Sequence, residues 1–179
     1  MKIFYCRKGS ITLVGAFAVA TIGFILMALI IEMSIIIMAK RTLSLVAESA
    51  AHRGAGTAVI KTAQVSTGVA HPVYGEEYET YYYLEIEDAH LAEQKAREII
   101  AEYGSMGVFE YIVLLEEEFS FERLPTQDPV LISNNISAYD RYRVALSGRV
   151  RRFFSGFWSD IGAKITVSAE AGSRIKKAV

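Results

Sequence analysis

The stretch SITLVGAFAVATIGFILMALIIEMSIIIM, residues 10–38, decides how the rest of the chain is read. It holds 29 residues, and Glu32 is its only charge. A bilayer core takes about 20 apolar residues as a helix. This run is therefore long enough to cross with length to spare, absorbed by tilt or by emerging from lipid before it ends. The apolar core of a cleaved secretory signal is about 7–15 residues and closes on a small-residue site. Residues 10–38 exceed that length and lead directly into a second helical pattern, so the expectation is a membrane-spanning helix that stays in the protein.

Outward from this run, the N-terminal flank is residues 1–9, a short basic leader with Lys2, Arg7 and Lys8. Lys40, Arg41 and Arg53 follow the run, so the basic residues on its two sides balance and the positive-inside rule separates them little. The free amine and the short flank favour a cytosolic N-terminus. The expected location is the cytoplasmic membrane, crossed once, with the C-terminal part extracytoplasmic.

Within the run, Gly15, Ala16, Ala20 and Gly23 concentrate small residues in its first half, and Ala16 and Ala20 form a small-xxx-small pair. Such a face lets two helices approach closely. Glu32 costs on the order of 2.5–3.5 kcal/mol if charged at mid-bilayer. Two readings stand open for it: snorkelling toward the outer headgroups, or pairing with a neighbouring subunit.

On the C-terminal side, residues 39–54 read as an amphipathic continuation of the same helix. Leu43, Val46, Ala47 and Ala50 recur at helical spacing, and Gly54 and Gly56 supply a stop. Residues 55–75 read as a linker with room for one strand or a short helix. The soluble domain is assigned to residues 76–179.

In that domain the tyrosine-rich segment 76–86 favours a strand. Asp88 stands where a helix N-cap belongs. Ala89, Ala92, Ala96, Ile99, Ile100 and Tyr103 form one apolar stripe, Glu93 and Arg97 an i,i+4 pair, and Gly104 the expected C′ glycine. Three further strands follow. The first alternates Phe109, Tyr111, Val113 and Leu115 and continues through Glu116, Glu117 and Glu118 to Phe121. The second sets Tyr142, Val144, Leu146, Gly148 and Val150 on one face and Arg141, Arg143, Arg149 and Arg151 on the other. The third alternates Ile165, Val167 and Ala169 with Lys164, Thr166, Ser168 and Glu170. The order strand-helix-strand-strand-strand predicts an α+β domain: a small antiparallel sheet with one helix packed on it, behind a long N-terminal transmembrane helix. The acidic and arginine-rich strands are expected to lie side by side. The arginine row is read as a solvated face balanced by glutamates rather than a phosphate strip.

The net charge of −1 excludes the concentrated basic face that nucleic acid needs. A lone cysteine, Cys6, excludes an internal disulfide framework. The histidines are widely spaced, and no phosphate loop, nucleophile elbow or HExxH motif occurs, so no metal, cofactor or catalytic centre is expected. The FFSGFW segment, with Phe153, Phe154, Phe157 and Trp158, is either a partner-contact loop or a cap on the small core.

The N-terminal third resembles the TadE/TadG-like family of the Flp (tight adherence) pilus system. The residues that carry this are Lys8-Gly9-Ser10-Ile11-Thr12, the apolar helix, Glu32, Lys40-Arg41, and the alanine-rich exit from Ala47 to Ala55. The resemblance implies a minor pilin or pseudopilin, with processing by a prepilin peptidase between Gly9 and Ser10. The fifth residue after that point is Val14, where pilin-like relatives carry glutamate. Implied partners are the lipid bilayer, other pilin-like or pilus-assembly subunits and the peptidase. The rival expectation is a permanently tethered extracytoplasmic binding or sensor module, with its groove on the sheet or beside Phe157 and Trp158.

Overall fold

A computed structural model describes the backbone of residues 5–71, 75–125, 139–151 and 162–172, and the side chains of 13–62, 83–125, 139–151 and 162–172. Helix α1 runs unbroken from Tyr5 to Ala55, 51 residues, about 75 Å at 1.5 Å per residue. No proline interrupts it. It begins at Tyr5 rather than Ser10 and passes through Gly9-Ser10 without a break. It ends where the Gly56 N–H donates to the His52 carbonyl at 3.0 Å and the Thr57 hydroxyl donates to the Gly54 carbonyl at 2.8 Å.

The expected linker is corrected. Most of residues 55–75 forms β1 (Val59–His71), paired antiparallel with β2 (Gly75–Glu85). The register runs from Val59↔Glu85 to Ser66↔Tyr78 and shifts before Ala70↔Glu76. The β1 sequence has no clean alternation, so its own pattern is weak. The hydrogen-bond ladder with the tyrosine-rich partner is what organises it. This hairpin is a separate two-stranded sheet, so β2 is not part of the main sheet as the strand order implied.

Helix α2 spans Ala89–Ser105. The Asp88 carboxylate accepts from the His90 and Leu91 backbone N–H groups at 2.9 and 3.0 Å, as its N-cap position predicts. Its C-terminus differs from expectation. Gly104 lies inside the helix, and Gly107, at φ 74°, is the C′ residue. The Gly107 N–H donates to the Gly104 carbonyl and the Val108 N–H to the Tyr103 carbonyl, the two bonds of a Schellman cap. The competing signal was a second glycine three residues on, with the helix free to continue because Gly104 is only mildly unfavourable inside it.

The main sheet holds β3 (Ile112–Leu114), β4 (Ser120–Leu124), β5 (Arg141–Val150) and β6 (Ala163–Gly172), all antiparallel to their neighbours. β5 is central. β6 covers one edge over its full length, from Arg141↔Gly172 to Val150↔Ala163. β3 and β4 share the other edge. They were expected as one strand. Instead Leu114 pairs with Gly148 and Ser120 with Ala145, so residues 115–119 face only Leu146 and Ser147, and the surplus folds into a 3-10 turn at Glu116–Glu118. The inward phase of β3 also differs: Ile112 is buried while Tyr111 and Val113 are exposed.

One face of this sheet is the core. The even-numbered residues of β5 expected there are buried: Tyr142, Val144, Leu146 and Val150, together with Ile165, Val167 and Ala171 of β6. The layer above them is mainly the second half of α1, through Leu43, Val46, Ala47, Ala50, Ala51 and Ala55, with α2 beside it through Ala92, Ala96 and Ile100. One helix on the sheet was expected, and two are present, because the helix from the apolar run does not leave the domain. Burial of Leu43 and of Val46 contributes about 1.5–3 kcal/mol each. The alanines let the backbones approach. So do two glycines. A Cβ on Gly148 would stand 2.7 Å from Ile112 Cγ2 and 3.3 Å from Leu43 Cδ1, and a Cβ on Gly54 would stand 2.5 Å from Tyr142 Cε1 and closer still to its Cδ1.

Gly54→Ala therefore has no room beside Tyr142. It is expected to destabilise the domain by about 1–3 kcal/mol, against the roughly 1 kcal/mol that alanine gains in a helix. Gly15→Ala meets nothing within 4 Å and serves as the control, with stability unchanged or raised. Denaturant unfolding of the full chain in detergent, followed by circular dichroism, checks both.

Candidate functional site: the apolar half of α1 and its junction with the domain

Among the described residues, one helix is long and apolar enough to cross a membrane. Its window has a mean hydropathy of 2.6, and none of that window is buried within the protein. A soluble core helix would be covered. Here Leu13, Phe17, Ile22, Phe24, Ile30 and Met33 all stand exposed on the isolated chain. A helix apolar on every side belongs in a core or in lipid.

The small residues singled out in the sequence lie on this exposed half. Gly15, Ala16, Ala20 and Gly23 are exposed, and nothing comes within 4 Å of a Cβ built at Gly15 or Gly23. The described part of the chain thus leaves that helix surface open to an external partner. Glu32 is placed differently. It is half-buried and lies on the helical face of Ala28, Ile35 and Ala39, which continues into the core stripe. The acid therefore stands on the domain side of the helix. Gly9 and Ser10 lie in the helical backbone. Phe153, Phe154, Phe157 and Trp158 lie outside the described residues.

Where α1 enters the domain, Ile31, Ile35, Met38, Val108, Tyr111 and Ile112 line an apolar groove of about 460 Å³. The turn between α2 and β3 forms its far wall. A second, more polar hollow of about 620 Å³ lies at the other end of the domain, near His52, Arg53, Ile60 and Lys95.

Sequence reasoning missed a charged cluster that ties the hairpin to the sheet. Asp140 is 1% exposed. Its Oδ2 accepts from the Arg123 Nε at 2.7 Å and from the Ile86 backbone N–H at 3.0 Å. Arg123 also donates to Glu85 at 2.9 Å. The Asp140 N–H donates to the Leu84 carbonyl, beside the Leu84↔Tyr139 bridge. Burial works against the charge on Arg123, but the hydrogen bonds and charges of Glu85 and Asp140 outweigh it and raise the pKa. Three residues distant in sequence thus pin the base of β2 against β4 and β5. The only advance signal was an arginine among the acids of the β4 run.

The outer face of the sheet carries the arginine row. Arg143 pairs with Glu170 at 2.5 Å and Glu122 at 3.1 Å, Arg141 with Glu170 at 3.5 Å, and Lys164 with Glu118 at 2.7 Å. The acids of β4 and β6 balance β5, as expected, with Glu170 a partner not foreseen. These exposed pairs contribute little each, and they match Arg141 and Arg143 of the row with carboxylates. Among the described residues, no group of three or more His, Cys, Asp or Glu side chains is gathered as a metal site requires. Comparison with family models, with curated proteins and with solved structures finds no match to this chain.

Two outcomes follow. Arg123→Met leaves Asp140 buried without its cation and is expected to cost about 2–4 kcal/mol, against under about 1 kcal/mol for Glu85→Gln; chemical unfolding at neutral pH measures both. Burial of Tyr142, helped by Glu93, pushes its phenol up to about 12 from 10.0. The folded state then holds a proton that the unfolded chain releases above pH 10. The stability this represents is complete below pH 10 and falls by about 1.4 kcal/mol per pH unit between about 10 and 12. Unfolding midpoints at pH 9 and pH 11 should show this component in the native chain and lose it in Tyr142→Phe.

Proposed function

We propose that this protein is a membrane-anchored, pilin-like subunit or assembly factor of a Flp/Tad-type surface pilus, held in the cytoplasmic membrane with its domain outside. The observation that carries the reading is the continuity of α1. One 51-residue helix supplies both an apolar, uncovered half and the central layer of the domain core. A helix built into its domain in this way can leave lipid and pack against other helices while the domain moves with it as one piece. Gly15, Ala16, Ala20 and Gly23 offer the close-packing face such an exchange uses. The resemblance of the Lys8-Gly9-Ser10 segment, Glu32 and the alanine-rich exit to TadE/TadG-like proteins supports the same role. No chemistry is assigned; the mechanism is mechanical.

A second reading, a permanently tethered extracytoplasmic module, is favoured by Val14, which stands where a filament subunit's glutamate is expected. The mature N-terminus separates the two. Mass spectrometry of the protein from native membranes is expected to give a chain beginning at Ser10, and Gly9→Val is expected to retain the full leader. A native chain that begins at Met1 defeats the processing claim and leaves the tethered module.

A further inference from the structure

The groove at the base of the domain has a position along α1 that can be measured against a bilayer. Its helical wall runs from Ile31 to Thr42, about 16 Å of helix at 1.5 Å per residue, and the lower part of that wall, Ile31 to Met38, belongs to the apolar run. The apolar run from Ile11 to Met38 is about 42 Å long by the same rise, which matches the roughly 40–45 Å of a bilayer with its interfacial layers rather than the roughly 30 Å of hydrocarbon alone. Lys8 lies just before the run, and Lys40 and Arg41 just after it. These are the positions where basic side chains meet lipid phosphates. On this scale residues 31–38 fall in the outer interfacial layer, and so does the turn that faces them.

The side chains of that turn suit the place. Val108 and Tyr111 line the groove, Tyr111 is 50% exposed and Met106, in the same turn, 64% exposed. A tyrosine with an apolar ring and a polar tip is the residue that interfacial layers favour. The helix opposite is apolar around most of its girth at this level, with Ile30, Met33, Ile37 and Met38 all exposed. A shaped protein partner would cover one side, whereas a fluid apolar solvent covers all of them. The apolar surface of the groove is continuous with that of the span, and Lys40 and Arg41 stand at the level of its upper end, between the lining residues Ala39 and Thr42.

We infer that the α2–β3 turn, through Val108 and Tyr111, is inserted in the outer interfacial layer of the membrane, and that acyl chains of that leaflet fill the groove against Ile31, Ile35 and Met38. The inference rests on the membrane-anchored reading. It makes the domain a two-point passenger, tied by α1 and seated by the turn, so its tilt on the bilayer is fixed. The Schellman cap at Gly107 shapes the turn for this, because its left-handed residue sends Val108 back toward α1.

The test uses the full chain with Cys6→Ser, reconstituted in phosphatidylcholine–phosphatidylglycerol vesicles. Single cysteines replace Tyr111, Met106, Ala20 or His90 and carry an environment-sensitive nitrobenzoxadiazole label. Nitroxide lipids place the quencher near the headgroup end or near the chain terminus. Labels at Tyr111 and Met106 are expected to emit blue-shifted and to lose more signal to the shallow nitroxide than to the deep one. The Ala20 label should show the reverse depth order, and the His90 label, at the far end of α2, should emit as in water. A quenched Ala20 label with water-like emission at both Tyr111 and Met106 overturns the inference and leaves the anchor standing. An unquenched Ala20 label overturns the anchor itself. Labels at Tyr111 and Met106 that are shielded but unquenched, and become exposed when the protein is diluted in lipid, overturn the inference in favour of a second copy of the chain. Met106, exposed and outside the core, gives a readout even if replacement of Tyr111 disturbs the turn.

Discussion

The structure depends on one contact: the second half of α1 lying on the inner face of β5 and β6. Leu43, Val46, Ala47 and Ala50 are wholly or almost wholly buried there. Without them that face would expose Tyr142, Val144, Leu146 and Ile165, since α2 is seated beside α1 rather than in its place. A four-stranded sheet with one short helix is a small core for any domain. Borrowing a helix from the apolar run supplies the missing layer, and it removes any hinge between that run and the domain. The absence of proline in α1 and the alanines of its exit serve the same end, the first by keeping the helix straight and the second by letting it approach sheet and α2 closely.

That contact decides the arrangement of everything else. α2 must run so that its alanine face meets the alanine face of α1, which sends its C-terminus toward the apolar run and its N-terminus toward the hairpin. Gly107 then turns the chain so that Ile112 can drop into the space over Gly148. Five residues are left to span two of β5, and the 3-10 turn takes up the surplus on the outer face, where Glu118 meets Lys164. At the base of the hairpin a charged cluster supplies the fastening. Asp140 gathers Arg123 and the Ile86 N–H at the one place where β2, β4 and β5 converge. A buried carboxylate is a costly fastener unless satisfied, and here the Arg123 guanidinium and the Ile86 backbone N–H both donate to it.

The sequence by itself determined the elements whose pattern is local. The apolar run and its helical continuation were legible from composition and from the spacing of Leu43, Val46, Ala47 and Ala50. The cap at Asp88, the pair Glu93–Arg97, and the two faces of β5 and β6 were legible because period and capping chemistry act within one element. The tertiary structure alone decided the rest. β1 has no pattern of its own and became a strand only against β2. The acidic run broke into β3, a turn and β4 because β5 offers fewer residues than the run contains. Gly104 and Gly107 were equivalent terminators in sequence, and the packing of α2 on α1 chose the second. The helix of the apolar run could have left the domain, yet it stayed, since laying its alanine-rich stripe on the sheet removes apolar surface of both from water.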